Sequence, residues 1–231
     1  MNLGIIAAAG QASRLNGIPK FLLPLIGDDK YLLNRTINIL KECGVDKINI
    51  GLSEYTNKIA EPFIDGLNVS ECSTQTMNET IQILNKDHGY ISICIMPDTY
   101  FDNPSGVPKS VELLKNNDSI ASICIWKLRK SQHGSVGQVE IGDDRVVSVK
   151  DKDKNCNFPY VWGTVAWKKE LNKYIDAKDP HIGYAVQKAT ENGEKISYVL
   201  NDGYYFDCGT VEQYWKLINY LTLGKEVNYI L

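Results

Sequence analysis

Residues 1–25 read MNLGIIAAAGQASRLNGIPKFLLPL. Leu3–Ala9 is an apolar run of strand length, closed by Gly10. No basic residue precedes the run, so it reads as a strand that opens a fold and not as a cleaved leader. A strand that turns through glycine and small residues points backbone N–H groups at one place, which makes a cradle for an anion. Arg14 stands four positions after Gly10, and Lys20, fixed by Pro19, six positions further on. An ordinary βα turn with two solvated basic residues would share the glycine. The combination of small residues with two spaced cations favours a polyphosphate.

Outward from this loop, strand-length apolar runs alternate with stretches of helical period. Tyr31–Cys43 places Leu33, Ile37 and Leu40 on one face and Gly44 behind them as a stop signal. Ile48–Leu52, a helix near Tyr55–Ile64, Leu67–Cys72, a helix over Glu79–His88 closed by Gly89, and Ile91–Met96 continue the series. Such alternation predicts parallel βαβ units. After a helix near Val107–Asn116 and the strand Ile120–Trp126, Gln138–Ile141 and Val146–Val149 flank Gly142-Asp143-Asp144 as a hairpin, and Tyr160–Trp167 reads as a further strand. Helices near Lys168–Ile175 and over Ile182–Glu191, strands Ile196–Leu200 and Tyr204–Phe206, and a last helix, Val211–Leu223, complete the pattern. No linker or repeat interrupts it. The expectation is one α/β domain over residues 1–231, a Rossmann-like three-layer α/β/α fold with a mostly parallel mixed sheet, to which the second half adds antiparallel strands over the sheet.

The chain has 231 residues, with 25 Lys+Arg against 28 Asp+Glu and a net charge of −3. That balance lacks the basic excess of a nucleic-acid binder, so any phosphate is held locally. No apolar stretch reaches the roughly 18 residues of a membrane span. The six cysteines form no CxxC pair and read as reduced thiols, which points to the cytoplasm. His88, His133 and His181 have no i, i+4 partner, and a zinc site is not expected.

Two carboxylates stand out. Asp98 follows the strand Ile91–Met96, and the carboxyl end of such a strand faces the ligand crevice of an open α/β sheet. It suits Mg²⁺, although a turn or N-cap aspartate is the commoner use of this position. Asp207 lies in Tyr205-Phe206-Asp207-Cys208-Gly209-Thr210, between an aromatic strand and a helix for which Thr210 is the N-cap. A carboxylate there needs a cation, whereas Cys208 beside it reads as a packed thiol.

AAAGQASRL…PKFLLPL at 7–25, MPDTYF at 96–101 and YFDCGT at 205–210 resemble, in order and approximate spacing, the motifs of the sugar-phosphate nucleotidylyltransferases, such as the glucose-1-phosphate thymidylyltransferases and uridylyltransferases. The resemblance spans essentially the whole chain. It implies that Ala9, Gly10, Ser13 and Arg14 contact a nucleoside triphosphate, with Lys20 on the phosphates, that Gln75 and Thr76 read the base, and that Asp98 and Asp207 bind Mg²⁺ together. Gly137, Lys152 and Gly163 fall to the sugar phosphate. Departures are Ala12 in place of a second glycine, Pro97 in place of glycine, and Asp151-Lys152-Asp153 where an acidic-Lys-Pro segment is expected. Lys150 or Lys154 can therefore stand for Lys152, and the whole run also reads as a solvated face.

The implied reaction is NTP plus sugar 1-phosphate giving NDP-sugar and pyrophosphate, which needs no protein nucleophile. Arg14, Lys20, Asp98 and Asp207 would carry it. Competing readings are a cytidylyltransferase acting on a non-sugar phosphorylated alcohol such as phosphocholine, for which Trp162 and Trp167 offer aromatic faces, and a non-catalytic nucleotide-sugar binding module. Tyr214 and Tyr220 on the last helix leave room for a homodimer.

Overall fold

A computed structural model describes residues 1–11, 13–27 and 29–224, and the backbone alone of Arg14. The readings made on Ala12 and on the Arg14 side chain lie outside the described residues.

The opening apolar run forms β1 (Asn2–Ala8), buried along its whole length as a central parallel strand must be. It is followed by α1 (Leu32–Glu42), β2 (Lys47–Leu52), α2 (Glu54–Ala60) and β3 (Asn68–Glu71). Next come α3 (Met77–Leu84), β4 (Ile91–Ile95), the short β5 (Thr99–Phe101), α4 (Gly106–Lys115) and β6 (Ala121–Lys127). The second half supplies the hairpin β7 (Gly137–Ile141) and β8 (Val146–Asp151), then β9 (Tyr160–Trp167), α5 (Gly183–Glu191), β10 (Ile196–Asn201), β11 (Tyr205–Asp207) and α6 (Val211–Leu223).

The main sheet runs β10-β6-β9-β4-β1-β2-β3, with the β7–β8 hairpin joined to β9. β9 pairs antiparallel with both β4 and β6, while β3, β2, β1 and β4, and β6 with β10, pair in parallel. Alternate residues of each strand enter opposite cores. Ile6 and Ala8 of β1 with Cys124 and Trp126 of β6 join residues of α1 and α4, whereas Leu3, Ile5, Ala121 and Ile123 join residues of α3 and α5. The mostly parallel, three-layer arrangement expected from the alternation is present. The antiparallel portion differs from expectation: β9 lies within the sheet and not over it, because its side chains are apolar on both faces and all but the first residue is buried.

Two helix boundaries also move. α3 ends at Leu84 and does not reach His88, since the side chains beyond it bond elsewhere: Asn85 donates to Asn172 Oδ1 at 3.0 Å and accepts from Ser92 Oγ at 2.6 Å. Gly89 serves close approach instead of a helix stop, because a Cβ there would lie 2.2 Å from the Met1 carbonyl oxygen. The helix expected near Lys168–Ile175 is a 3-10 segment, Lys169–Tyr174.

A third cluster joins the two ends of the sequence. Leu15, Leu23 and Leu32 pack with Phe206, Cys208 and Leu217, so α6 and the end of β11 rest on the loop that follows β1. All six cysteines are buried and unpaired.

Gly163 shows how tightly this centre is filled. It is skipped in the pairing of β9 with β6, where Cys124 faces Thr164 and Ile125 faces Trp162, and a Cβ on it would come within 2.6 Å of the Tyr205 ring and 2.9 Å of the Trp126 ring. Gly163→Ala is expected to destabilise the fold by about 1–3 kcal/mol through overpacking. An unchanged urea midpoint would contradict that packing argument.

Candidate active site

After β1 the backbone runs through Ala9, Gly10 and Gln11 into a 3-10 turn at Ser13–Leu15, with Leu15 buried as its anchor. Gly17 adopts a left-handed backbone (φ 90°) and reverses the chain, and its carbonyl accepts a hydrogen bond from the Tyr55 hydroxyl at 2.9 Å. Pro19 then starts a second 3-10 turn, Lys20–Leu22, in which Phe21 and Leu22 are buried. Lys20 is thereby held facing the sheet, where its ammonium meets Asp98 Oδ2 at 2.7 Å.

Asp98 and Asp207 are brought together by a ribbon of two three-residue strands. β11 pairs antiparallel with β5, setting Asp207 opposite Thr99, and the Cys208 amide donates to the Asp98 carbonyl at 2.8 Å. Asp207 Oδ1 accepts from the Gly209 amide at 2.9 Å, and the Thr210 hydroxyl caps α6 by accepting from the Gln213 amide. The Asp207 carboxyl is pushed up to about 6, first by burial and then by the negative charge of Asp98, with Lys20 pulling the other way. Burial, and after it the same two carboxylates, push the Cys208 thiol up as well, as expected of a packed and unreactive group.

Two adjoining clefts meet at this point. The first, about 970 Å³ and open to solvent, is lined by the loop from Ala7 to Ser13, by Lys20 and Asp98, and by Gln75 and Thr76. The second, about 750 Å³, is lined by Gly137, Lys152, Trp162 and His181 together with Asp98 and Asp207. Lys20, Met77 and Asp98 belong to both, so the Lys20–Asp98 ion pair forms the seam between them.

Most of the residues expected at a site are thus collected in one crevice. Ala9, Gly10, Ser13, Gln75 and Thr76 line the first cleft and Gly137, Lys152 and Asp207 the second. Among the described residues, nothing lies within 4 Å of where a Gly10 Cβ would project. The Thr76 hydroxyl is already committed: it accepts from the Glu79 amide as the N-cap of α3 and donates to the Ala177 carbonyl. Of the three lysines, Lys152, in a left-handed backbone (φ 48°), lines the second cleft, whereas Lys150 and Lys154 line neither. Gly163 lines neither cleft and lies beneath the Tyr205 and Trp126 rings.

Two aromatic expectations change. Trp167 is fully buried and its indole donates to Asn172 Oδ1, while Trp162 keeps only 6% of its surface exposed. On α6, the Tyr214 hydroxyl donates to the Pro24 carbonyl and the Tyr220 hydroxyl to Asp102 Oδ2, so both rings serve internal packing and give no separate support to a dimer. Sequence reasoning missed His181 and Asp151, which meet in the second cleft at 3.0 Å. Only the tertiary fold pairs them.

The donor set fits Mg²⁺. Among the described residues no three His, Cys, Asp or Glu side chains surround one position, but Mg²⁺ characteristically takes one or two carboxylates and completes its shell with water and substrate phosphates. The raised Asp207 carboxyl is the electrostatic mark of a site short of positive charge. Its stability linkage follows directly. A carboxyl raised in the fold from 3.8 to about 6 contributes stability that is complete below pH 3.8 and lost as the pH rises through about 6. In chelator-treated buffer, Asp207→Asn is therefore expected to stabilise the fold by about 1–3 kcal/mol at pH 8, with the gain vanishing near pH 4. Thermal melts across that range test it, and a variant less stable than the parent at pH 8 would overturn it.

No curated protein matches the sequence. Solved structures do match the fold. A protein from Bacillus anthracis, described as a glucose-1-phosphate thymidylyltransferase and bound to sucrose, superposes with a TM-score of 0.77 at 17% identity over 99% of this chain and 97% of its own. A UDP-glucose pyrophosphorylase complexed with UDP-glucose gives 0.76 at 15% identity, covering 97% and 99% of the two chains. The UTP-bound enzyme of the same type from Acinetobacter baumannii gives 0.76 at 12% identity, covering 97% and 94%. The fold is that of these nucleotidyltransferases, and residues 4–71, which contain β1, its loop and Lys20, match the MobA-like NTP transferase domain.

Proposed function

We propose that the protein transfers a nucleotidyl group from an NTP to a sugar 1-phosphate, releasing pyrophosphate and an NDP-sugar. The observation that carries this reading is the Lys20–Asp98 pair at the seam of two clefts, with Asp207 beside it on the second. A reaction between two anionic substrates needs charge neutralised at the place where they meet. UTP and UDP-glucose in the structurally similar proteins point to the same substrate class.

On this reading the triphosphate lies along the loop from Ala9 to Ser13, where backbone N–H groups and the open space beside Gly10 receive it. Gln75, whose side-chain amide has no protein hydrogen bond among the described residues, is free to meet the base. Lys152 receives the acceptor phosphate in the second cleft, and Lys20 lies between the two substrates. One phosphate oxygen of the acceptor attacks the α-phosphorus, forming a P–O bond as the bond to pyrophosphate breaks. The attacking oxygen is already ionised, so no protein base is required. Asp98 and Asp207 would hold Mg²⁺, which when bound neutralises charge on the reacting phosphates. The protein's contribution is positioning and electrostatic stabilisation. Phosphocholine as acceptor is less well supported, because Trp167 offers no accessible face and Trp162 very little.

The test is a pyrophosphate-release screen of the common NTPs against sugar 1-phosphates and phosphocholine, with and without Mg²⁺. Asp98→Asn and Asp207→Asn are each expected to stay folded and to lose roughly 100-fold or more in turnover. Pyrophosphate release that survives both substitutions would remove the reading. Arg14→Ala is expected to lower turnover while leaving the melting temperature unchanged. An equal loss of both would make Arg14 a structural residue.

A further inference from the structure

The first cleft is lined by the loop from Ala7 to Ser13 and again by Pro19, Lys20 and Phe21, but Leu15–Ile18, which join these two runs, line neither cleft. The joining segment therefore acts on a ligand only by setting where its two ends lie. It is a tight turn: the Ile18 amide donates to the Leu15 carbonyl at 3.0 Å, and Asn16 (φ 51°) and Gly17 (φ 90°) both have left-handed backbones. Asparagine followed by glycine adopts this form with the least strain, so the shape of the turn is encoded locally. Its placement on the body of the protein is not.

Two contacts place it. On one side Leu15 is buried in the cluster that contains Phe206 and Leu217, and on the other the Tyr55 hydroxyl donates to the Gly17 carbonyl at 2.9 Å. Tyr55 reaches this carbonyl because β1 and β2 are parallel neighbours with Ala8 opposite Leu52, so the chain leaves both strands side by side and α2 starts next to the loop. Ser53 and Thr56 form a reciprocal capping box that fixes the first turn of α2, in which Tyr55 lies. Among the described residues no other side chain bonds to the backbone from Leu15 to Ile18. Gly17 is fitted to the hydroxyl, since a Cβ there would lie 2.7 Å from the Tyr55 oxygen but 3.7 Å from the ring carbon behind it. With 46% of its surface exposed, Tyr55 is not explained as a core residue.

We propose that Tyr55 is a positioning residue for the nucleotide: by tying the Asn16-Gly17 turn to α2, it sets the distance between the loop that receives the triphosphate and the ammonium of Lys20. This rests on the transfer reaction proposed above, and on its NTP side alone. An anion held from two sides is sensitive to their separation, because the hydrogen bonds of the loop and the attraction to Lys20 both fall with distance. Tyr55 itself lines neither cleft. A neutral hydroxyl–carbonyl bond of this kind corresponds to about 3–10-fold in binding.

The experiment measures KM for NTP and acceptor separately in pyrophosphate release, together with the melting temperature, for the parent, Tyr55→Phe, Gly17→Ala and the double variant, using the NTP and sugar 1-phosphate that turn over fastest. Tyr55→Phe is expected to raise the NTP KM about 3–10-fold with the acceptor KM and the melting temperature unchanged. Gly17→Ala is expected to raise the NTP KM at least as much, because its methyl group pushes the turn away from the hydroxyl. The Tyr55 oxygen is the atom that this methyl meets, so removing it relieves the clash, and the double variant is expected to be no worse than Gly17→Ala alone. An unchanged NTP KM in Tyr55→Phe, both KM values rising together with a fall in melting temperature, or single effects that multiply in the double variant would each overturn the assignment. A parent that releases no pyrophosphate from any pair would remove the transfer reaction itself and this inference with it, an outcome visible before any variant is made.

Discussion

The pairing of Thr99–Phe101 with Tyr205–Asp207 holds two distant parts of the chain in contact, and the crevice exists only while that contact lasts. A two-stranded ribbon of this length is marginal alone in water. Here each strand is gripped from outside. Arg35 donates to the Phe101 carbonyl at 2.7 Å and lies 4.4 Å above the Tyr100 ring. Arg129 donates to the Tyr205 carbonyl at 2.7 Å, joined there by the Gln132 amide, and lies 4.4 Å above the Phe206 ring. Tyr100 and Phe206 face one another across the ribbon, while Phe101 and Tyr205 pack on Trp126 from its other side. Carbonyls that would otherwise be left bare at the ribbon edges are thus bonded to charged donors. The two carboxylates sit on a platform held through its backbone as well as its side chains.

That platform places like charges in a poorly solvated spot, which by itself is unfavourable. Asp207 carries most of the strain, while Lys20 offsets part of it from the loop side. The net charge of −3 conceals this local arrangement. On the proposed reading, in which the site receives polyanions, the carboxylates have to be matched by cations on the substrate's side, and the ammonium of Lys20 already occupies part of that role. Its position between the clefts means that an incoming anion and Asp98 compete for one charge.

Much of this was legible in the residues. β1, the α/β alternation and α6 follow from apolar period, and Thr210 and Gly44 do what capping and stop signals imply. The placement of Ala9, Gly10 and Asp98 beside the crevice was legible because they follow β1 and β4, whose carboxyl ends open on it, whereas Lys20 is carried there by a 3-10 turn and Asp207 by the antiparallel ribbon. What was not legible depends on distant partners. The end of α3 is decided by Asn85 reaching Asn172 and Ser92, not by local propensity. Gly163 looks like a binding glycine and is a packing glycine, because its neighbours are rings from β6 and β11. Asp151 and His181 are far apart in the chain and belong to no local motif.

The burial of all six thiols gives the molecule an internal clock for its own opening. Burial leads the causes that push the Cys43 and Cys94 thiols up to about 12 and Cys208 higher still, so none of these three is a ready nucleophile while the fold is closed. A small alkylating reagent therefore counts excursions and not surface area. Cys208 sits in the segment bonded to Asp98, and the rate at which it is labelled measures how often the two ends of the chain part company, separately from the rate for Cys94 in the centre of the sheet.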